Sequence, residues 1–171
     1  YGSPVMRFLF RLCSDRALAE DLTQDVFLKV WRAAPGWRPV GKVSTWLFQI
    51  AKHHGWNETA KRRRRAPVQG TPWTEQTAAD ARDERLASPA ERVVRVEGVR
   101  AVEGALADLS PKLRLVFVLV RLEGVPFAEA AEIAGIPVGT VKSRAAAAEA
   151  ALRKALRRAT PPTKDARTDT P

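Results

Sequence analysis

The sequence predicts an all-α protein made of two small helical domains that are joined by a flexible linker. Three observations lead to this fold class. Twelve prolines leave several long proline-free windows, and proline is excluded from helix interiors. Apolar residues inside these windows recur at every third or fourth position, which places them on one face of a helix. No alternation of valine, isoleucine or threonine with polar residues indicates a strand.

The proline-free windows predict about seven helices. The first window carries an apolar residue at every fourth position, at Leu18, Leu22, Val26 and Val30. This repeat predicts a helix with one buried stripe. The windows that we interpret as helical are 5–34, 40–66, 90–110, 112–125 and 138–160.

Several helix ends are marked by residues that favour capping. The sequence SPAE at 88–91 is a capping box, in which serine caps the helix, proline takes the first helical position and glutamate follows. The dipeptide SP at 110–111 repeats the cap and the proline. Gly124 and Gly135 stand where a helix end favours a residue in the left-handed conformation.

The chain is strongly basic, with a net charge of +10, so we expect a polyanionic partner. The segment 66–90 is an acidic connector with few large apolar residues, and it cannot build a core of its own. We therefore divide the chain into a first domain at 1–65, this flexible linker, a second domain at 91–160 and a disordered tail at 161–171.

Several classes of protein are excluded by composition. The longest apolar run covers six residues, whereas a membrane span needs ~20, so we expect a cytoplasmic protein without membrane insertion. Cys13 is the single cysteine, which excludes an intramolecular disulfide and a multi-cysteine zinc site. His53 and His54 point ~100° apart on a helix, so we expect no metal and no cofactor.

Enzymatic chemistry is also poorly supported. There is no glycine-rich phosphate loop. Asp21 and Asp25 lie four residues apart on one helix face, as a catalytic carboxylate pair could. Because the same helix carries Lys29 and Arg32, a partner-binding or solvated face is the better interpretation. We therefore expect no enzyme.

The segment 127–145 is interpreted as a helix, a tight turn and a second helix. Ala131, Gly135 and Val141 fit helix-turn-helix spacing: a small residue for close helix contact, a turn glycine and an inward apolar group. An ordinary helical hairpin with a solvated charged face is the alternative. The outward positions carry side chains suited to phosphates and base edges, at Thr140, Lys142, Ser143 and Arg144.

Four of the five tryptophans fall between residues 31 and 56, interleaved with cations. This pattern suits single-stranded nucleic acid, whose bases stack on rings while cations track the phosphates. The alternative for each tryptophan is core packing, and we expect Trp31 and Trp46 to be at least partly buried. Lys61–Arg65 is interpreted as a phosphate contact, with a solvated helix end as the alternative.

Two amino-terminal segments resemble region 2 of bacterial extracytoplasmic-function (ECF) sigma factors, which belong to the sigma-70 family. They are AEDLTQDVFLKVW at 19–31 and STWLFQIAK at 44–52, which is followed by the basic run Lys61–Arg65. The resemblance implies a helical bundle in this half of the chain.

Three later segments resemble region 4 of the same family: LSP at 109–111, EG at 123–124 and GIPVGTVKSR at 135–144. The similarity covers 5–65 and 101–158, and both regions follow one another in the family's order. It implies a dissociable subunit of RNA polymerase that recognises −10 and −35 promoter elements and helps to melt the promoter DNA.

The resemblance also implies partners for each part. The helix at 19–33 would dock on the coiled coil of the polymerase β′ clamp, and region 4 would grip the β flap. Family members are often held by an anti-sigma factor, so such a partner is implied as well. The residues implied for polymerase contact are Asp21, Gln24, Asp25, Phe27, Lys29 and Trp31.

The loop at 36–43 and the helix at 44–62 would open the −10 element and hold its non-template strand. The residues implied there are Trp37, Lys42, Ser44, Thr45, Trp46, Gln49, Lys52, His53, Trp56, Asn57, Lys61, Arg62, Arg63, Arg64 and Arg65. Those implied for the −35 element are Val138, Thr140, Lys142, Ser143 and Arg144. After Arg144 the family commonly has a leucine and further arginines, whereas this chain has Ala145–Ala148 and then Glu149.

Two other hypotheses fit parts of the sequence. A stand-alone helix-turn-helix regulator would bind duplex operators without polymerase, but it leaves the tryptophan cluster and the face of Asp21, Gln24 and Asp25 unexplained. An RNA-binding adaptor fits the charge but not the helix-turn-helix.

Overall fold

A computed structural model describes residues 1–36, 38, 41–65 and 89–159, with side chains except at 62–65, 89–97 and 159. These residues form seven α-helices and no strand, which confirms the predicted fold class. A 3₁₀ turn, Ala34–Gly36, follows the second helix, and a π-helical turn, Val118–Leu122, continues the fifth. The helices are α1 (Gly2–Cys13), α2 (Arg16–Ala33), α3 (Val43–Arg65), α4 (Pro89–Asp108), α5 (Pro111–Phe117), α6 (Phe127–Ala134) and α7 (Val138–Ala159).

Two residues separate α1 from α2. Ser14 has φ 55° and ψ 29°, a left-handed conformation that ends α1, and its N–H donates to the Phe10 carbonyl at 2.7 Å. Asp15 then caps α2, because its Oδ1 accepts a hydrogen bond from the Leu18 N–H at 3.0 Å. The first proline-free window therefore contains two helices, and a capping aspartate rather than a proline marks their boundary.

The predicted helix ends are largely confirmed. Helix α4 begins at Pro89 and α5 begins at Pro111, although Ser110, at the N-cap of α5, makes no side-chain capping hydrogen bond. The serine predicted to cap α4 lies outside the described residues. Gly124 and Gly135 have φ values of +66° and +71°, a conformation that strains residues with a Cβ atom.

Helices α1, α2 and α3 pack around a shared apolar core. The rings of Phe8 and Phe48 meet edge to face with centroids 5.1 Å apart. A Cβ atom at the buried Gly55 would lie 3.0 Å from Leu9 Cδ2, so the glycine allows α3 to approach α1 closely. The buried stripe of α2 is the predicted one, formed by Leu18, Leu22 and Val26, with Val30 half-buried.

Helices α4 to α7 form the second half of the molecule. Between α4 and α7 lies a small apolar cluster. The π-helical turn widens the end of α5, because the Glu123 N–H donates to the Val118 carbonyl, five residues earlier, at 2.9 Å. The small apolar cluster between α4 and α7 consists of Ala105, Leu106, Leu109, Ala148 and Leu152.

The two halves pack against each other, so that one apolar cluster runs from α1–α3 into α5, α6 and α7. Arg114 of α5, only 5% exposed, lies at this junction. Its Nη1 donates to the Leu12 carbonyl at the end of α1 at 2.9 Å. Its Nη2 donates to the Leu109 carbonyl at 3.3 Å and also to the Ala107 carbonyl. This buried guanidinium joins helix ends from both halves.

Only Pro89 and Ala90 of the predicted linker at 66–90 belong to the described residues, and the predicted tail at 161–171 lies outside them. The domain boundaries therefore stay predictions. Among the described helices, none combines the length and the apolar character that crossing a membrane requires.

Candidate nucleic-acid and polymerase interface

The outward face of α2 presents two carboxylates, an amide and two large apolar side chains. Asp21, Gln24 and Asp25 are exposed, and so are Leu28, at 54%, and Trp31, at 80%. A rotation of ~100° per residue brings all five onto one side of the helix. Leu28 is not among the predicted contacts, although its spacing of seven residues from Asp21 indicates a shared face. We call these five residues the α2 face.

The expected partial burial of Trp31 is wrong. The side chain of Val26 faces the core, and Trp31 comes five residues later. Five residues rotate a side chain by ~140° around the helix. Its ring therefore lies in solvent. Of the other predicted polymerase contacts, Phe27 is half-buried and packs against the apolar core, and Lys29 is exposed.

A cleft of about 590 Å³ lies on the outward side of α3. Five of the residues predicted to contact −10 DNA line this cleft, together with one lysine of α2. Flat rings and amide groups are suited to bases, and the lysines are suited to phosphates. The lining residues are Lys29, Trp46, Gln49, Ile50, His53, His54, Asn57, Glu58 and Lys61. We call this site the α3 cleft.

Other predicted −10 residues do not line the α3 cleft. Trp56 is half-buried and packs against the apolar core, which supports the packing alternative for this ring. Ser44 and Lys52 are half-buried on α3. Trp37 lies outside the described residues, and so do the side chains of Arg62–Arg65, although α3 runs to Arg65.

His54 brings a buried nitrogen into the α3 cleft. Its Nε2 has no hydrogen-bond partner among the described residues. Burial lowers the pKa of His54 below the usual histidine value, and Lys29 lowers it further, against an opposing effect of Asp25. The imidazole is therefore neutral at pH 7. Across the described ranges, no three His, Cys, Asp or Glu side chains lie close enough to hold a metal ion.

Helix α6 covers the start of α3. Glu129 Oε1 pairs with Lys42 Nζ at 2.5 Å, and Glu129 Oε2 accepts from Thr45 Oγ1 at 3.3 Å. Gln49 Nε2 donates to the Glu132 carbonyl at 3.3 Å. These contacts leave Thr45 only 7% exposed. Three residues predicted to contact −10 DNA are thus engaged by α6, and the sequence pattern did not identify Glu129 as the partner of Lys42 and Thr45.

A second ion pair also joins the two halves. Arg11 Nη1 of α1 lies 2.6 Å from Glu123 Oε1, which follows the π-helical turn. The Glu123 side chain is 5% exposed, so its charge is held away from water and depends on Arg11 for compensation.

Helices α6 and α7 form the predicted helix-turn-helix. The N–H groups of Gly135 and Ile136 both donate to the Ala131 carbonyl, at 2.8 and 3.2 Å, and so close the end of α6 into a tight turn. Val141 is fully buried, as the spacing predicted. The turn therefore fixes which side of α7 faces outward.

The first two turns of α7 carry all the residues predicted to contact the −35 element. Val138, Lys142 and Ser143 are exposed, whereas Thr140 and Arg144 are half-buried. Ser143 Oγ donates to the Thr140 carbonyl at 3.1 Å, which leaves its lone pairs available as acceptors. This end of α7 offers cations and hydrogen-bonding groups at the spacing of a major-groove helix.

Comparison with known proteins places both halves in one family. The family model for Sigma-70 region 2 matches residues 1–65, and that for Sigma-70, region 4 matches residues 100–152. The first match includes the α3 cleft, and the second includes the helix-turn-helix.

Curated relatives and a solved structure agree with these matches. The ECF RNA polymerase sigma factor SigC of Mycobacterium tuberculosis is 34% identical over 148 residues, which cover 86% of this chain and 75% of the relative. The RNA polymerase sigma-H factor of Pseudomonas aeruginosa is 31% identical over 163 residues, which cover 91% of this chain and 82% of the relative.

The sigma factor RpoE of Bartonella quintana, solved in complex with the anti-sigma factor NepR, superposes with a TM-score of 0.73 at 24% identity, over 90% of this chain and 89% of that one. This likeness concerns the fold. Together with the family matches and the curated relatives, it agrees with the order of regions predicted from the sequence. The chain belongs to the extracytoplasmic-function sigma factors of the sigma-70 family and directs promoter-specific transcription by RNA polymerase.

Proposed function

We propose that this sigma factor divides promoter recognition among three surfaces. The α2 face docks on the β′ clamp of core RNA polymerase, the α3 cleft holds the non-template strand of the opened −10 element, and the start of α7 reads the −35 duplex. The protein acts in the cytoplasm as a binding factor and not as an enzyme. The observation that carries the proposal is that five side chains implied for −10 DNA line one cleft, the α3 cleft.

The chemistry of the α3 cleft favours single-stranded DNA over duplex. The rings of Trp46 and His53 offer stacking surfaces, and stacking contributes ~1–3 kcal/mol per base. The Asn57 amide donates and accepts, as base edges do. Lys29 and Lys61 add cations at the same cleft. In a duplex the base faces are covered by their neighbours, so these contacts are gained only after the DNA opens.

The α2 face suits a protein partner. Tryptophan is enriched at the energetic centre of protein interfaces, and Trp31 lies in water next to the exposed Leu28, so the two form an apolar patch. Asp21 and Asp25 flank them and supply charge complementarity to a basic surface. This combination supports docking on polymerase better than it supports a solvated surface.

Strand capture by the α3 cleft requires α6 to leave α3. Thr45 and Gln49 are occupied by α6 in the closed arrangement, so DNA and α6 compete for the same donors. We infer that the halves separate when region 4 engages the β flap. An anti-sigma factor of the kind bound to the Bartonella quintana relative would oppose polymerase binding by holding the chain away from it.

The test uses holoenzyme reconstituted from core RNA polymerase and the double variant His53→Ala, Asn57→Ala. Both side chains are exposed, so folding should be unaffected. We expect fewer permanganate-reactive thymines near −10, and a pre-melted template should restore transcription. The control is Arg16→Ala, an exposed cation at the start of α2 and away from the cleft. Melting equal to that of the parent protein would exclude the α3 cleft as the strand-binding site.

A further inference from the structure

The carboxy-terminal half of α7 carries four cations, Arg153, Lys154, Arg157 and Arg158, all of them exposed. They surround a shallow concavity of about 340 Å³. Among the described residues, none of the four has an acidic partner within ion-pair distance. We call these four residues the α7 basic cluster.

The helix dipole explains only part of the α7 basic cluster. Cations are favoured at a helix carboxyl end, but the effect fades beyond the last turn. Arg157 and Arg158 lie in that turn, whereas Arg153 and Lys154 lie one turn earlier. The helix dipole therefore does not account for Arg153 and Lys154.

The acidic residue of α7 is paired with a cation outside this helix. Glu149 is the single acid between Val138 and Ala159. Its Oε1 accepts from Arg121 Nε at 2.5 Å, in an ion pair with the π-helical turn. Because Arg121 already pairs with Glu149, this carboxylate forms no ion pair with the α7 basic cluster, whose positive charge suits phosphate binding.

The α7 basic cluster continues the same helix face as the −35 residues. Arg153 follows Lys142 by eleven residues, and Lys154 follows Ser143 by eleven. Eleven residues are close to three whole turns, so each pair projects within ~20° of the same direction. The two ends are joined along this face by small exposed side chains, at Ala146, Ala147 and Ala150.

This face of α7 is longer than the major groove of duplex DNA is wide. Lys142 and Arg157 are separated by ~22 Å along the helix axis, whereas the major groove is ~12 Å wide. A helix whose first turns read base edges therefore extends beyond the groove. Later cations on such a helix would then come close to the phosphates that border the groove.

We propose that the α7 basic cluster binds the phosphate backbone of duplex DNA next to the −35 element and extends the contact made by the start of α7. This inference rests on the proposed role of α7 in DNA reading. The occupant is duplex DNA, because the cluster lies on the same face of a DNA-binding helix. An acidic polypeptide is the alternative that the experiment distinguishes.

The experiment measures binding of the full chain to a fluorescein-labelled 30-base-pair duplex of arbitrary sequence by anisotropy, between 50 and 200 mM salt. The variant is Arg153→Ala, Lys154→Ala, which keeps α7 helical because alanine favours helices. The matched control, Arg100→Ala, Lys112→Ala, removes the same charge from exposed positions on α4 and α5.

Each phosphate contact contributes about 0.9 to the slope of log affinity against log salt. Loss of two contacts should reduce the slope by about 1.8, so that the parent's affinity falls about 12-fold more than the variant's over this salt range. The control should keep the parental slope. An unchanged slope in the variant would overturn the inference.

Two further arms separate the possible failures. Lys142→Ala removes a cation from the start of α7. If it weakens duplex binding while the Arg153, Lys154 variant does not, the proposed function stands and this inference fails. If neither changes the salt dependence, α7 does not contact DNA and both fail. Polyglutamate that binds the parent more tightly than the variant, while both bind the duplex with the same salt slope, would assign the cluster to an acidic protein instead.

Discussion

Replacing Glu129 by alanine should release the start of α3 and tighten binding of single-stranded DNA. In the closed arrangement this carboxylate holds both Lys42 and Thr45. Removing it weakens the contact between α6 and α3 without changing a residue of the α3 cleft. The open form, in which α6 no longer covers these donors, should become more populated.

The magnitude follows from the exposure of the two partners. The Lys42 side chain is 67% exposed, so its ion pair contributes only about 0.5 kcal/mol. Thr45 is 7% exposed, and its hydrogen bond contributes about 1 kcal/mol. Their loss shifts the closed-to-open equilibrium by about 1.5 kcal/mol, or about tenfold. If DNA binds the open form alone and the closed form dominates, the apparent affinity rises by the same factor.

The assay is fluorescence anisotropy with a labelled 15-nucleotide single strand at fixed salt. Glu132→Ala is the matched control, because it removes an equal charge three residues away, and its backbone carbonyl, which the substitution keeps, accepts the hydrogen bond from α3. We expect about tenfold tighter binding for Glu129→Ala and a much smaller change for the control. Equal gains in both variants would show that net charge, and not the release of α3, sets the affinity.

Three further predictions concern the core, the α2 face and the α3 cleft. Arg114→Met should lower the free energy of unfolding by about 3 kcal/mol in urea denaturation, because it leaves buried carbonyls without their donor. Leu28→Ala, Trp31→Ala should weaken core polymerase binding at least tenfold in a competition assay while leaving the urea midpoint unchanged. Because the pKa of His54 is lowered in the folded protein, the unfolded chain takes up this proton first, and stability falls as pH drops below about 6.5. His54→Gln should make the urea midpoint less dependent on pH in that range.

The local parts of the fold could be predicted from the sequence because they depend on spacing. The stripe of Leu18, Leu22 and Val26 is buried as its four-residue repeat indicates, and Gly135 closes α6 as a left-handed residue. Each feature follows from the helix period or from the conformational freedom of glycine. The helix-turn-helix could be predicted for the same reason.

Contacts between the halves could not be predicted in this way. Glu129 and Thr45 are 84 residues apart, and no helical period connects them. In the sequence, Arg114 resembles an ordinary exposed cation on a helix. In the structure it is buried among carbonyls of α1 and α4. Their roles depend on how α6 and α5 pack against the first half, which is tertiary information.

The tryptophans show that composition alone does not predict which aromatic side chains are buried. Trp31 lies in solvent, whereas Trp56 packs against the apolar core. Residue type does not separate these environments, but the phase of each helix does, because Trp31 is rotated away from the buried stripe of α2. Helix phase should therefore be applied before an aromatic side chain is assigned to a core or to a binding surface.

The π-helical turn at Val118–Leu122 amounts to one residue inserted into an α-helix. The insertion shifts the register of everything that follows by ~100°, and in this register Glu123 meets Arg11. Deleting one residue from the turn would restore the α-helical register and rotate Glu123, α6 and α7 together. A single-codon deletion here would thus disturb the packing of α7 against α4 and change which side chains meet between the halves, including Glu129 with Lys42.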